Sequence, residues 1–459
     1  MLAAALAVAL TPAAARAQAA GATLDDVPPA AAVAFVDVAV LPMDGDRVLE
    51  HRTVVVRDGR IVAIGAPATT PVPAGATRVD GRGRFLLPGL VDMHAHMAPG
   101  GASLGDPAGR QLAAYLATGF TTVRGLGNAP TALALRDRIA RGEVIGPRLV
   151  LAGPSLNGKS VASPADGARM VAEQKRQGFD LLKTHGGVSA EAYDSIAAAA
   201  ARLGMPLVGH VTPEFGLRGA MRAHQQVEHL DGYIAALMAD GATAPGDQMI
   251  WDPAVLARVD TAKIAPLARE TARLGIWNGP TLALFEVLAS EETPDALAAR
   301  PELRLIPPQA VAAWKAQKAE VLAEVPPEGR AEFLALRRRI VRALHDAGAG
   351  ILVGSDSPQL FATPGYGALR EIDALVAAGL SPYDALVAAT RAPAEYMGRA
   401  REVGTVAVGK RADLVLLDGN PLVDRVVLRQ PRGVMVAGRW LDRARLDALL
   451  EGVALAAAR

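Results

Sequence analysis

Residues 86–97 read Leu86-Leu87-Pro88-Gly89-Leu90-Val91-Asp92-Met93-His94-Ala95-His96-Met97, an apolar run ending on two histidines one residue apart. Side chains alternate along a strand, so Leu90, Asp92, His94 and His96 share one face, and Val91, Met93 and Ala95 share the other. The apolar second face predicts a strand buried on both sides, led in by the Pro88-Gly89 turn. Two imidazoles at i and i+2 can hold one metal ion. A buried structural pair or a chance surface chelate fits the same spacing, so the rest of the chain has to supply further ligands.

Downstream of this stretch, strand and helix signals alternate. Short strands are predicted at Gly119–Val123, Pro147–Leu151, Gly178–Lys183, Met205–His210, Gln226–His229, Ile276–Leu282 and Ile351–Asp356, with helices such as Ala132–Arg141 and Ala190–Leu203 between them. With residues 86–97 these make eight, the number that an α/β fold of the (β/α)8 TIM-like barrel type needs, and the barrel is expected over residues 87–403. One interval is too long for an ordinary connection: roughly 70 residues separate Pro280 from Ile351. Much of Gln309–Leu344 is helical in character, which predicts an insertion over about 283–346, either a lid over the mouth or an oligomer contact.

The two ends of the chain resemble each other in composition. Residues 34–84 are rich in Val, with Asp44-Gly45 and Asp58-Gly59 between alternating runs, a hairpin pattern. Gly404–Asp418 and Arg432–Leu441 are again short Val-rich strands with Gly turns. A small composite β-sandwich domain is therefore expected from residues 30–86 and 404–445. Gly404–Lys410 also fits the first seven positions of a phosphate-binding loop. Arg411 stands where Ser or Thr is required, and the following residues are strand-like, so the match reads as chance.

Hydrophobic residues make up 51% of the 459, with 46 Gly and 32 Pro, as in a compact enzyme. A formal net charge of +1 and the lack of a long basic run argue against a nucleic-acid partner. With no cysteine, thiol catalysis, cysteine-ligated zinc and disulfides are excluded, which leaves His, Asp, Glu and Lys for metal chemistry. The start has an apolar run to Leu10 and small-residue sites at Ala15-Arg16-Ala17 and Ala17-Gln18-Ala19, although a basic leading region is missing. A signal peptide over residues 1–19, and with it a periplasmic or secreted protein, is expected; an Ala-rich terminus is the bland alternative. The run is too short to span a bilayer, and no membrane role is expected.

Four of the predicted strands end on a residue able to bind or bridge metal: Lys183, His210, His229 and Asp356. Each has a plain alternative, as a core histidine, a helix cap or an N-cap turn. Together with His94 and His96 they place four of the chain's 8 histidines at such ends, and this ordered set favours function.

The order His94-x-His96, Lys183, His210, His229, Asp356, on a barrel flanked by a split β domain, resembles the amidohydrolase superfamily. Gly119–Arg124 (GFTTVR), Glu228-His229, Gly379–Gly398 (GLSPYDALVAATRAPAEYMG) and GTVAVGKRADLVLLDGNPL from Gly404 resemble its imidazolonepropionase-like and Xaa-Pro dipeptidase-like branch. The likeness extends over the chain beyond the signal. It implies a divalent metal, most simply Zn2+, that activates water and polarises a carbonyl, with Asp356 taking the water's proton. In the binuclear branch it further implies a carboxylated Lys183 bridging two metals, His94, His96 and Asp356 on one and His210 and His229 on the other. A mononuclear site of His94, His96, His210 and Asp356 is the alternative.

The chain departs from that pattern at Gly125, where relatives carry Asp; at Asn157-Gly158-Lys159-Ser160, where many carry Gly-Gly-His; and at Leu369, where many carry His. These changes bear on substrate. Lys159 could replace the missing histidine, His185 shares the face of Lys183, and Tyr233 and Trp251 could line the mouth, so His185, Tyr233 and Lys159 are the candidate substrate contacts. The resulting expectation is hydrolysis of an amide in a dipeptide-like or N-acyl-amino-acid-like small molecule by a homo-oligomer. A cyclic amide or lactone hydrolase, a deaminase and a non-catalytic relative are the alternatives.

Overall fold

Residues 58 and 59 both take the left-handed conformation, Asp58 at φ 51° and Gly59 at φ 69°, which turns the chain in a two-residue hairpin between Arg57 and Arg60. That hairpin belongs to a computed structural model describing residue 24 and residues 31–242 and 250–459; the expected signal segment lies outside the described residues.

The chain opens with β1 (Ala32–Val40), β2 (Leu49–Arg57), β3 (Arg60–Gly65), β4 (Thr77–Asp80) and β5 (Phe85–Pro88). Eight strands follow in its middle: β6 (Leu90–Ala95), β7 (Phe120–Gly125), β8 (Arg148–Leu151), β9 (Leu182–Thr184), β10 (Leu207–Gly209), β11 (Gln226–Glu228), β12 (Trp277–Gly279) and β13 (Gly350–Ile351). It closes with β14 (Leu414–Leu417), β15 (Gly433–Val436) and β16 (Arg439–Asp442).

The first and last groups form one eight-stranded sheet in the order β16-β15-β14-β5-β1-β2-β3, with β4 also paired to β1. The predicted sandwich is therefore a single sheet. It curls on itself, because Ile61 donates to the Lys410 carbonyl, Gly409 to Ile61 and Ala412 to Gly59, which brings the β3 edge against the chain that leads into β14. Val33, Phe35, Val54, Ile61, Leu414 and Met435 fill the inside of the curl. Lys410 is not a phosphate-loop lysine: its Nζ donates to the Ala400 carbonyl at 2.6 Å, and no helix follows it.

All eight middle strands pair in parallel, as β6-β7-β8 and β9-β10-β11-β12-β13. A parallel bridge from Ala152 to Leu181 joins β8 to β9. At the other edge, Met93 donates to Val353 and Ser355 and Asp356 donate to His94, and a parallel bridge pairs Ala95 with Ser357. Strand thus follows strand in one closed circuit of eight. All six residues of β6 are buried, which rules out a surface chelate at His94.

Helices cover the circuit, with sequence-coded ends. Ser163 and Ser189 cap Pro164–Gln177 and Ala190–Leu203, and left-handed Gly178 and Gly204 end them. The long interval holds two different helices. Pro327–Asp346 buries Phe333, Leu336, Ile340, Val341 and Leu344 on one stripe and leads into β13, so it is a covering helix and not part of an insertion. Pro308–Glu324 buries only Trp314 and Lys318 and is the added element. Trp314 meets Phe361, five residues beyond Asp356, at a ring separation of 5.9 Å. Among the described residues, no helix is long and apolar enough to cross a membrane.

Candidate metal centre

The circuit brings the carboxyl ends of β6, β9, β10, β11 and the extension of β13 to one place. His94 Nε2 lies 3.1 Å from the Asp356 carboxylate, His96 Nε2 2.7 Å and His229 Nε2 3.8 Å. The His229 ring centroid is 4.7 Å from those of both His94 and His210. Ligand atoms of His94, His96 and Asp356 all lie within 4.8 Å of one another. Lys183, 1% exposed, sits in β9 between the strands carrying these groups.

What turns the four rings the same way is the partner of each Nδ1. His94 Nδ1 bonds Glu228 Oε2 at 2.8 Å, His96 Nδ1 the Leu126 carbonyl at 3.0 Å and His210 Nδ1 Asp231 Oδ2 at 2.8 Å. His229 Nδ1 bonds Thr281 Oγ1 at 2.8 Å, and that hydroxyl spends its own proton on the Pro280 carbonyl. The Leu126 carbonyl, the Glu228 carboxylate and the Thr281 hydroxyl, its own proton already donated, accept, and the Asp231 carboxylate accepts when ionised, so in the neutral form of each ring the proton sits on Nδ1 and the lone pair on Nε2. Lone pairs held 2.7–3.1 Å from a carboxylate oxygen repel it unless a positive charge lies among them. Lys183 Nζ is buried and has no hydrogen-bond partner among the described residues. This donor set of neutral imidazoles, one carboxylate and an unpaired amine fits a divalent transition metal.

Local electrostatics agree for His210, His229 and Lys183. Burial holds His210 and His229 well below the usual imidazole range, which keeps them neutral, and lowers Lys183 toward its neutral amine. Without a metal ion the rings next to Asp356 share protons with it instead. Against the effect of burial, Asp356 and Glu228 raise His94, and the charge of His94 and His229 with hydrogen bonds from His94 and His96 holds the Asp356 carboxylate well below the ordinary range, so a cation bound there would take the place of those Nε2 protons.

A second layer positions this one. Arg124, fully buried, donates to the Met93 carbonyl at 2.5 Å, to Glu228 Oε1 at 2.6 Å and to Gln226, so an Arg124–Glu228–His94 chain runs behind the centre. Asp92, on the His94 face of β6, accepts from Ser355 Oγ at 2.6 Å and Tyr115 Oη at 3.1 Å and ties β6 to the segment carrying Asp356; burial pushes its carboxyl up to about 6. Asp356 (φ 56°), His229 (φ 59°) and Thr281 (φ 47°) all hold left-handed backbone. Arg337 donates to the His229 and Pro280 carbonyls beside the last two corners, its guanidinium 3.6 Å over the Phe285 ring.

Of the predicted substrate contacts, His185 stands at the open side, its ring centroid 4.3 Å from that of His210; Nδ1 accepts from the Gly186 amide, which leaves Nε2–H free to donate. Lys159 is exposed on a loop packed against the His185 loop, where the Gly158 amide donates to Gly186. Tyr233 is a correction. It is 1% exposed, with its hydroxyl donating to Asn278 at 2.9 Å and packed among Leu267, Ala268 and Ile340, so it belongs to the helix–strand core. Trp251 packs on Phe333, 4.5 Å between centroids. The roles of Glu228, Asp231, Thr281 and Arg337 escaped the sequence reading; only Glu228 carried a signal, through its place beside His229.

The profile of the amidohydrolase family matches residues 85–441. An imidazolonepropionase of Ralstonia nicotianae (strain ATCC BAA-1114 / GMI1000) is 29% identical over 413 residues, 83% of this chain and 90% of that one. A dihydroorotase of Anaeromyxobacter sp. (strain K) is 32% identical over 121 residues, and the match spans only 27% of its length. Among solved structures, a putative prolidase from Bifidobacterium longum superposes with a TM-score of 0.65 at 26% identity, covering 93% of this chain and 100% of that one. The chain belongs to the amidohydrolase family, in its imidazolonepropionase-like and Xaa-Pro dipeptidase-like branch.

Proposed function

We propose that the protein is a metal-dependent hydrolase that cleaves an amide bond in a dipeptide-like or N-acyl-amino-acid-like small molecule, with the closed circuit of strands read as a (β/α)8 barrel. The observation that carries this reading is the set of four imidazoles gathered beside Asp356 and buried Lys183, each held through Nδ1, with the Nε2 atoms of His94, His96 and His229 facing the Asp356 carboxylate and the His210 ring stacked on His229.

Bound there, a divalent ion, most simply zinc, acidifies a water to a pKa of about 7 and polarises the scissile carbonyl. His94, His96 and Asp356 would hold one ion and His210 and His229 a second, with carboxylated Lys183 between them. Burial of Lys183 favours the neutral amine, which adds to carbon dioxide and releases a proton to form an anionic carbamate. Asp356 takes the proton of the attacking water and returns it to the leaving nitrogen, so the C–N bond breaks to an acid and an amine. Glu228, Asp231 and Thr281 keep the ring protons on Nδ1 throughout. His185, with Nε2–H free beside His210, is suited to donate to a substrate carbonyl or carboxylate.

Likeness to a prolidase supports a peptide-like substrate, and likeness to an imidazolonepropionase supports a cyclic amide as the second class. Export to the periplasm or beyond, and assembly as a homo-oligomer, complete the proposal. The test is a hydrolysis panel of dipeptides, N-acyl amino acids, cyclic amides and lactones with wild type and Asp356→Asn. Amide cleavage that falls by orders of magnitude in the variant, with its fold kept, supports the reading. Turnover of lactones alone, or an undiminished Asp356→Asn enzyme, refutes it.

A further inference from the structure

A second polar cavity, of about 280 Å³, lies at the amino ends of β7, β8 and β9, the end of the circuit opposite the histidines. Thr121, Arg148 and Asp180 form its wall on the strand side, and the turn at Gly59, the Arg411–Asp413 segment and Ala437 of the curled sheet close it from below. Four guanidinium groups line it, from Arg136, Arg148, Arg399 and Arg411, against two carboxylates, Asp180 and Asp413. Three of the four are matched: Arg136 with Asp180 at 3.2 Å, Arg411 with Asp413 at 2.9 Å and Arg399 with Glu402 at 2.7 Å.

Arg148 is the exception. It is half-buried, its Nε is enclosed without a hydrogen-bond partner, and no carboxylate pairs with it among the described residues. Burial, together with the like charges of Arg411 and Arg399, disfavours its cation. An unmatched guanidinium in such a place is costly unless an anion completes it, and its planar fork suits a carboxylate or phosphate.

We propose that this cavity binds a small organic anion through Arg148, Arg399 and Arg411, at a site separate from the metal centre and bridging the strand circuit to the curled sheet. The volume lies near the lower end of small-molecule sites, about 300–1,000 Å³, which favours a metabolite carrying one carboxylate or phosphate over any macromolecule. Occupancy would pin β7, β8 and the sheet together, so it should be read out in stability as well as in binding. This assignment is independent of the reaction proposed above.

The experiment is isothermal titration of the full-length, metal-loaded protein with inorganic phosphate and, in a separate arm, with succinate, at constant ionic strength. Melting curves accompany each arm. Wild type should bind one of the two saturably and melt higher with it; Arg148→Gln should bind it at least tenfold more weakly and lose the melting shift, while Arg148→Lys keeps a substantial part of both. Amide hydrolysis in the absence of the anion should be unchanged in the variants. If Arg148→Gln fails to fold, the same comparison is made with Arg399→Gln. Anion binding equal in wild type and the folded variant, such as binding confined to the metal centre, would overturn the proposal, as would no binding of either anion.

Discussion

Replacing Glu228 with Gln would keep the shape behind His94 but change what each atom can do. Glu228 is fully buried; it accepts from Arg124 Nη2 at 2.6 Å and Gln226 Nε2 at 2.8 Å through one oxygen and faces His94 Nδ1 at 2.8 Å through the other. A glutamine has one accepting oxygen, which Arg124 and Gln226 claim, so its amide N–H turns to His94. His94 Nδ1 must then accept, and its proton moves to Nε2, the atom that points at Asp356. Loss of this orienting bond should weaken metal affinity about 10- to 100-fold, or ~1.4–2.7 kcal/mol. The variant also leaves Arg124 buried without its counter-charge, a loss on the order of 3–5 kcal/mol when a buried pair is broken from one side. Metal affinity by competition with a chelating dye, and urea unfolding of the metal-free protein, separate the two effects. Adding Arg124→Met should recover much of the stability and none of the affinity. A Glu228→Gln protein with wild-type metal affinity would refute the role given to the Arg124–Glu228–His94 chain.

Two further outcomes follow from other parts of the molecule. Burial pushes the Glu371 carboxyl from 4.5 up to about 8, although it accepts from the Ala283 amide at 2.7 Å. A group raised on folding stabilises the protein below its unfolded pKa and loses that contribution as pH rises toward its folded one, so Glu371 should withdraw stability between about pH 4.5 and about pH 8. In urea unfolding, Glu371→Gln should gain stability relative to wild type progressively from about pH 4.5 to about pH 8; a difference between the two that does not change with pH would refute the buried, protonated Glu371. Replacing the helix Pro308–Glu324 with a short Gly-Ser linker removes the Trp314 support of the Asp356 loop and should change KM or substrate range more than Tm. Smaller assemblies with unchanged kinetics, seen by light scattering, would make that helix an oligomer contact instead.

The residues legible in the sequence were those whose roles follow from local pattern. His94 and His96 stand on an alternating strand, Lys183 and His210 each close a short apolar run and His229 closes the short strand Gln226–Glu228, so the strand order carries them to one end of the circuit. Their partners obey no local rule. Glu228 meets His94 across 134 positions because β11 and β6, which do not pair, face each other across the inside of the circuit, and Thr281 meets His229 across 52 because β11 and β12 pair in parallel. Tyr233 shows the converse error: it is four residues from His229, but left-handed Gly232 (φ 77°) turns the chain before it and sends its ring among the helices. The long interval misled in a similar way, since helical composition alone did not separate the buried stripe of Pro327–Asp346 from the mostly exposed Pro308–Glu324.

Dependence of hydrolysis on metal held by His94, His96, Lys183, His210, His229 and Asp356 is decided by titration of the stripped protein. Chelated protein is re-loaded in steps with Zn2+, and bound metal and amide hydrolysis are measured on the same samples, for wild type and Lys183→Ala. Hydrolysis should be absent without metal and climb with bound metal to a plateau near two ions per chain, and Lys183→Ala should bind fewer ions and stay inactive. Full hydrolysis by the stripped wild-type protein would contradict that dependence.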